Sequence, residues 1–166
     1  AGMLQAVVAD HVVQSRIVFP GAGHLELGRA ACCAASSCEA SVLDGVFFLQ
    51  PLVVDVAGLH VECALTSGHF EVLSGELVDT ALVDVATHCS GGVKSGSRDA
   101  RRRQQHALAR AYRCTHAANV AALYSSFHAA GLQYGPCFRR VAHAWSGEGA
   151  AVSKLAAGSL QGTQVH

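Results

Sequence analysis

His11 stands nine residues before Pro20-Gly21, and this spacing is the part of the chain best suited to chemistry. A Pro-Gly pair ahead of an alanine- and leucine-rich run marks a helix start. The first turn of a helix leaves backbone N–H groups unpaired and carries the positive end of the helix dipole. It can therefore hold a thioester carbonyl as negative charge builds on the oxygen. Gly21 has no side chain to keep such a carbonyl from the backbone. An imidazole, whose ordinary pKa lies near neutrality, can then remove a proton from the carbon beside the carbonyl. His11 is the candidate general base, and Pro20 and Gly21 are candidate substrate-binding positions. Taken alone, a histidine beside an apolar run is more often a packed or surface residue, so the surrounding pattern has to carry the assignment.

Other chemistries fit less well. Gly21 and Gly23 begin a dinucleotide-type GxGxxG loop, but Glu26 occupies its third glycine position. The ten histidines and seven cysteines include no CxxC pair, no HExxH and no zinc-finger spacing, so no metal is expected. An odd cysteine count without regular spacing is not a secreted disulfide framework, which points to a reducing cytoplasm. Cys32 and Cys33 read as small packing residues. Twelve basic side chains balance twelve acidic ones, so no overall field draws the chain to nucleic acid or to an anionic membrane. Its apolar runs are too short to span a bilayer, and the start at Ala1-Gly2-Met3 shows no secretory signal. Arg101-Arg102-Arg103 reads as a solvated loop.

The elements that must position these residues can be read from their punctuation. With 166 residues, 51% of them hydrophobic and 14% charged, one sizeable core is expected. Gln5 to Phe19, rich in Val and Ile, suits an extended approach to the turn at Pro20-Gly21. Leu25, Leu27, Ala30, Ala31, Ala34 and Ala35 predict a buried helix over about 22–35, with small residues where a sheet must approach. From Ser41 to Val93, short Val, Leu and Phe runs separated by Gly45, Pro51, Gly58, Gly68, Gly75 and Gly91-Gly92 predict antiparallel strands. Gly91 to Gln105 reads as an exposed connection. Val120, Leu123, Tyr124, Phe127 and His128 then give a helical spacing over Asn119 to Ala130, with Gly131 placed to end it. The order is α+β, a helix packed on an antiparallel sheet. The expected division is 1–95 for a first unit carrying His11, 96–117 for a linker, and 118–166 for the start of a second unit.

Two motifs in the same order resemble one family. His11-x3-Ser15-x4-Pro20 is similar to the HxxxGxxxxP motif of polyketide synthase and fatty acid synthase dehydratase domains, with Ser15 for the usual glycine. His24 replaces the usual aromatic residue four positions after the proline. Gly131-Leu132-Gln133-Tyr134-Gly135-Pro136-Cys137-Phe138 is similar to the family's GYxYGPxF motif, with Leu132 for the first tyrosine. Gln50-Pro51-Leu52 and Thr87-His88-Cys89-Ser90 resemble a strand start and a strand end of the family's first hotdog.

The resemblance implies a double hotdog, each half a sheet wrapped around a central helix, and a site made by the histidine of one half and an aspartate of the other. His11 would take the α-proton of a 3-hydroxyacyl group and the aspartate would protonate the departing hydroxyl, leaving an enoyl thioester. Tyr134, Gly135, Pro136 and Phe138 would bind substrate. The substrate would ride on the phosphopantetheine arm of an acyl carrier protein, with no further cofactor, beside neighbouring synthase domains and in a homodimer. The aspartate, borne on a DxxxQ or DxxxH helix, is expected after His166. Asp10-x3-Gln14 satisfies DxxxQ by letters but overlaps the histidine motif. In an extended segment Asp10 and His11 would point to opposite faces. Two rival readings are a product-template or isomerising domain of the same fold, and a structural module that lacks half of its site.

Overall fold

A computed structural model describes residues 3–36, 41–95 and 114–157. In chain order the elements are α1 (Met3–Ala9), β1 (Val12–Val13), β2 (Arg16–Ile17), α2 (Gly21–Ser36), β3 (Ser41–Phe48), β4 (Leu59–Thr66), β5 (His69–Val78), β6 (Ala81–Ser95), β7 (His116–Ala117), α3 (Val120–Ala129), β8 (Val141–Gly147) and β9 (Ala150–Leu155). They form two units, one within Ile17–Arg98 and the other within Ala1–Arg16 and Asp99–His166.

In the Ile17–Arg98 unit, α2 packs on an antiparallel sheet of order β3-β6-β5-β4. The period-two alternation of β5 builds the core: Phe70 and Val72 are fully buried while His69 and Glu71 are exposed. Cys89 completes the buried centre, and Leu27, Leu43, Val46, Cys63, Leu65 and Val93 pack around it. Gly28 lets the helix come this close, since a Cβ there would lie 2.9 Å from the Phe70 ring. The helix and strands match the sequence reading, but Gly91 and Gly92 belong to β6 and not to a connection. A Cβ at Gly91 would lie 2.8 Å from Phe70, so this glycine makes room for a ring instead of turning the chain. Residues 96–113 of the expected linker lie outside the described residues, and His116–Ala117 form a strand.

In the other unit, β7, β8 and β9 form an antiparallel sheet in that order. Helix α3 packs on β8. The Asn119 side chain caps its start by accepting the Ala122 N–H at 3.0 Å. Gly131, at φ +88°, ends it as expected: its N–H reaches the His128 carbonyl at 3.0 Å, and the Leu132 N–H reaches that of Phe127 at 2.8 Å. The buried Tyr124 ties helix to sheet, its hydroxyl accepting the Val141 N–H at 3.0 Å.

Two expectations need correction here. Met3–Ala9 is a helix, not an extended approach. Val in a helix costs at most about 0.7 kcal/mol relative to alanine, less than burying Val8 returns. The segment carrying His11 also groups with 99–166, not with the first sheet. Backbone bonds explain this grouping: Gln14 N–H to Gly131 carbonyl at 2.7 Å, Gln133 N–H to Val12 carbonyl at 2.8 Å, and Gly135 N–H to Asp10 carbonyl at 2.8 Å.

Candidate active site

His11 lies two residues past the end of α1, its N–H donating to the Val8 carbonyl at 2.9 Å. The half-buried imidazole rests on two aromatic rings of the second motif. It stacks on Tyr134 with centroids 5.3 Å apart and planes 26° apart, and meets Phe138 at 4.9 Å and 57°. Phe127 of α3 meets Tyr134 edge-on at 6.2 Å. The histidine motif and the GYxYGPxF-like motif therefore meet at His11, Tyr134 and Phe138. Tyr134 also lines a cavity of about 240 Å³ with Tyr124, Ser125, His128, Leu132 and Arg139. The Arg139 guanidinium lies 5.0 Å from the Tyr124 ring centre, a cation–π contact that holds it at the cavity wall.

Gly135 and Pro136 make the turn between the two rings. The Phe138 N–H closes it on the Gly135 carbonyl at 3.0 Å, and Pro136 is exposed. Asp10, set aside in the sequence reading, is built into this turn: its carboxylate accepts the Cys137 N–H at 2.7 Å. Asp10 and Cys137 are 127 positions apart, so no local pattern could have revealed the contact. A hydrogen bond with the same carboxylate first, then desolvation, then the carboxylate's charge, push the Cys137 thiol above its ordinary pKa. Asp10 is not on a helix, and it is the sole aspartate among the described residues of this unit. It does not take the place of the family's helix-borne aspartate.

Ser15 sits where the family has glycine, and the backbone shows why. Gln14 and Ser15 have φ +47° and +63°, the pair of positive angles that a two-residue type I′ turn requires. Gln133 supports the turn, its Oε1 accepting the Ser15 N–H at 2.8 Å. A non-glycine residue in this region costs about 1–2 kcal/mol, partly offset by the greater unfolded-state freedom of glycine. Ser15→Gly is expected to stabilise the chain by about 0.5–1 kcal/mol, read as a higher urea midpoint. An unchanged or lower midpoint would mean that the serine carries no strain.

Pro20 and Gly21 belong to the other unit, where they open α2 as expected. The Pro20 carbonyl accepts the N–H groups of Gly23 and His24 at 2.8 and 3.3 Å. Gly21 keeps ordinary backbone, and a Cβ there would sit 3.4 Å from the Phe48 ring. One turn on, His24 is 3% exposed and takes the place of an aromatic ring, edge-on to Phe19 at 5.0 Å and tilted to Phe48 at 6.0 Å. Its Nδ1 has no hydrogen-bond partner in the described protein. Buried His88 stacks beside it at 6.5 Å, with Nε2 2.7 Å from Ser74 Oγ and Nδ1 3.3 Å from the Gln50 carbonyl. Burial first, and His88 second, lower the His24 pKa from 6.5 to about 4. Among the described residues no three His, Cys, Asp or Glu side chains converge as a metal site, and no helix is long and apolar enough to cross a membrane.

One unit is a helix packed on an antiparallel sheet, and the other sets a histidine against two aromatic rings of the second motif. The same pattern recurs in known proteins. A family model described as the polyketide synthase dehydratase domain matches residues 2–76, and one described as the polyketide synthase dehydratase N-terminal domain matches residues 102–164. The chain belongs to the polyketide synthase dehydratase domains. It is 31% identical over 156 residues to polyketide synthase ThaG of Burkholderia thailandensis, covering 89% of this chain and 3% of that protein. A highly reducing polyketide synthase of Stachybotrys chartarum is 30% identical over 105 residues, covering 52% of this chain and 4% of its own length.

Among solved structures, the dehydratase domain from the CurF module of curacin polyketide synthase matches with TM-score 0.70 and 20% identity, over 92% of this chain and 56% of that one. A trans-AT polyketide synthase dehydratase domain from Brevibacillus brevis matches with TM-score 0.69 and 23% identity, over 90% and 55%. These likenesses establish the α+β hotdog fold. The chain spans about half the length of these solved dehydratase domains and a few per cent of the synthases.

Proposed function

We propose that this chain supplies the histidine of a dehydratase site that removes water from a 3-hydroxyacyl thioester on an acyl carrier protein. The observation that carries the reading is the meeting of the two family motifs, with His11 against Tyr134 and Phe138. Two aromatic faces restrict the imidazole's rotation, so the base waits in one orientation instead of being gathered from many. In the step proposed, His11 takes the proton from C2, the electron pair forms the C2–C3 double bond, and the C3–O bond breaks. The hydroxyl leaves as water with a proton from a carboxylic acid. That acid is the family's aspartate, which none of the described residues of the His11 unit supplies.

Tyr134, Gly135, Pro136 and Phe138 shape the acyl side of the site, with the recess beside Tyr134 as the place for the chain. The phosphopantetheine arm is the only prosthetic group required, and it arrives with the substrate. Synthase domains flank the chain in a homodimeric, cytoplasmic assembly.

The test is mass spectrometry of a 3-hydroxyacyl carrier protein incubated with this chain, alone and within its full open reading frame. Loss of one water in the second case supports the reading. An unchanged acyl group in both cases makes the chain a structural module, and an enoyl product with its double bond away from C2–C3, or a cyclised acyl chain, makes it an isomerising or product-template domain.

A further inference from the structure

We infer that Asp10 is a positioning residue, which sets the orientation of His11 by clamping the turn that carries Tyr134 and Phe138. Asp10 holds this turn by three contacts, two through its carboxylate and one through its backbone. Its carboxylate Oδ2 accepts the Cys137 N–H at 2.7 Å. Its carbonyl accepts the Gly135 N–H at 2.8 Å. Its carboxylate also fills the space above Gly135, where any Cβ would collide with it. The two rings that touch His11 sit immediately before and immediately after these held atoms. Asp10 is bonded to His11 in sequence, so one peptide unit connects the clamp to the base and a second connection runs through the rings. Releasing the carboxylate frees the Cys137 N–H and lets the turn drift, and with it both faces that restrict the imidazole.

A charged acceptor is well matched to this task, because carboxylate-to-amide bonds are shorter and stronger than neutral ones. The need for an acceptor, not for a charge, makes a specific expectation about substitutions. Asparagine keeps an oxygen at the same reach and alanine does not. Glutamate is longer by one methylene in a space already filled up to Gly135. The inference rests on the dehydratase reading for its kinetic consequence only, since the orientation of His11 can be observed directly.

The experiment has two arms on Asp10→Ala, Asp10→Asn and Gly135→Ala. In the first, proton NMR of the full chain follows the His11 ring resonances, assigned by their loss in His11→Gln, which in the parent are displaced by the ring currents of Tyr134 and Phe138. Asp10→Ala and Gly135→Ala are expected to move them toward the position of an exposed histidine, and Asp10→Asn to leave them in place. In the second, turnover of a 3-hydroxyacyl carrier protein is measured within the full open reading frame. Asp10→Ala and Gly135→Ala should lower kcat about tenfold, roughly the effect of a slightly misplaced group, with KM within about twofold. Asp10→Asn should restore most of kcat.

Unmoved His11 resonances in Asp10→Ala overturn the inference. So does an Asp10→Asn protein that behaves like the alanine variant, because the charge and not the acceptor would then matter. Spectra that collapse as a whole in both Asp10→Ala and Gly135→Ala also overturn it, in favour of a purely structural role. If the parent itself does not turn over, the dehydratase reading fails while the NMR arm still decides the role of Asp10.

Discussion

Replacing His11 with alanine is expected to slow water loss from a 3-hydroxyacyl carrier protein by about a thousandfold, the middle of the range for removing a general base. This corresponds to about 4 kcal/mol of lost transition-state stabilisation. The loss should fall on kcat, because the imidazole acts on a proton that moves only in the transition state and contributes little to holding the carrier arm. Folding should suffer far less. His11 is half-buried, and its contacts with Tyr134 and Phe138 are worth about 1 kcal/mol together. The two readouts separate chemistry from collapse: single-turnover rates by mass spectrometry, and the urea midpoint of the same preparation. A loss below tenfold with an intact fold would move the role of base to another residue. Tyr134 and Phe138 would then be ordinary core aromatics, and the meeting of the two motifs would describe packing.

What could be seen in advance divides along physical lines. Helix α2, helix α3 and the strands of β3 to β6 were legible because their signals are local, either a repeat of 3.6 or 2 or a glycine where φ turns positive. Gly131 is the clearest example, being a helix stop in both sequence and backbone. Helix α1 was not legible, because the Val pair at Val7-Val8 suggests a strand and the burial of Val8 that decides the matter is tertiary. Gly91 misled for a related reason. A glycine that turns the chain and a glycine that admits the Phe70 ring look alike in one dimension. The motifs singled out His11, Tyr134, Gly135, Pro136 and Phe138 as candidates, but the turn contact of Asp10 had no such signal, since its partner lies at Cys137. The membership of His11 in the unit with residues 99–166 was hidden likewise, as it depends on backbone pairing across more than a hundred residues.

His24 gives the chain an acid sensitivity that an aromatic ring at the same position would not. In the folded state burial, and then His88, hold the His24 pKa at about 4, against 6.5 when unfolded. Between those values the unfolded chain binds a proton that the folded chain refuses, so stability rises with pH there. Stability from this source is complete above about pH 6.5 and is lost as pH falls toward 4, by about 3 kcal/mol in all at 1.36 kcal/mol per pKa unit.

His24→Phe restores an aromatic ring against Phe19 and Phe48 and removes both the titration and the unpartnered Nδ1. The measurement is urea unfolding of both proteins at pH 7 and pH 4.5. The parent should lose about 2 kcal/mol more than the variant between those conditions. The carboxylates of Glu26 and Asp44, held low by Arg29 and Lys94, titrate in both proteins and cancel in the difference. Equal losses would mean that His24 reaches solvent or a partner on protonation. The aromatic position after the proline would then be a matter of shape alone. A larger loss in the parent would show that the buried base at His24 costs this chain stability in acid.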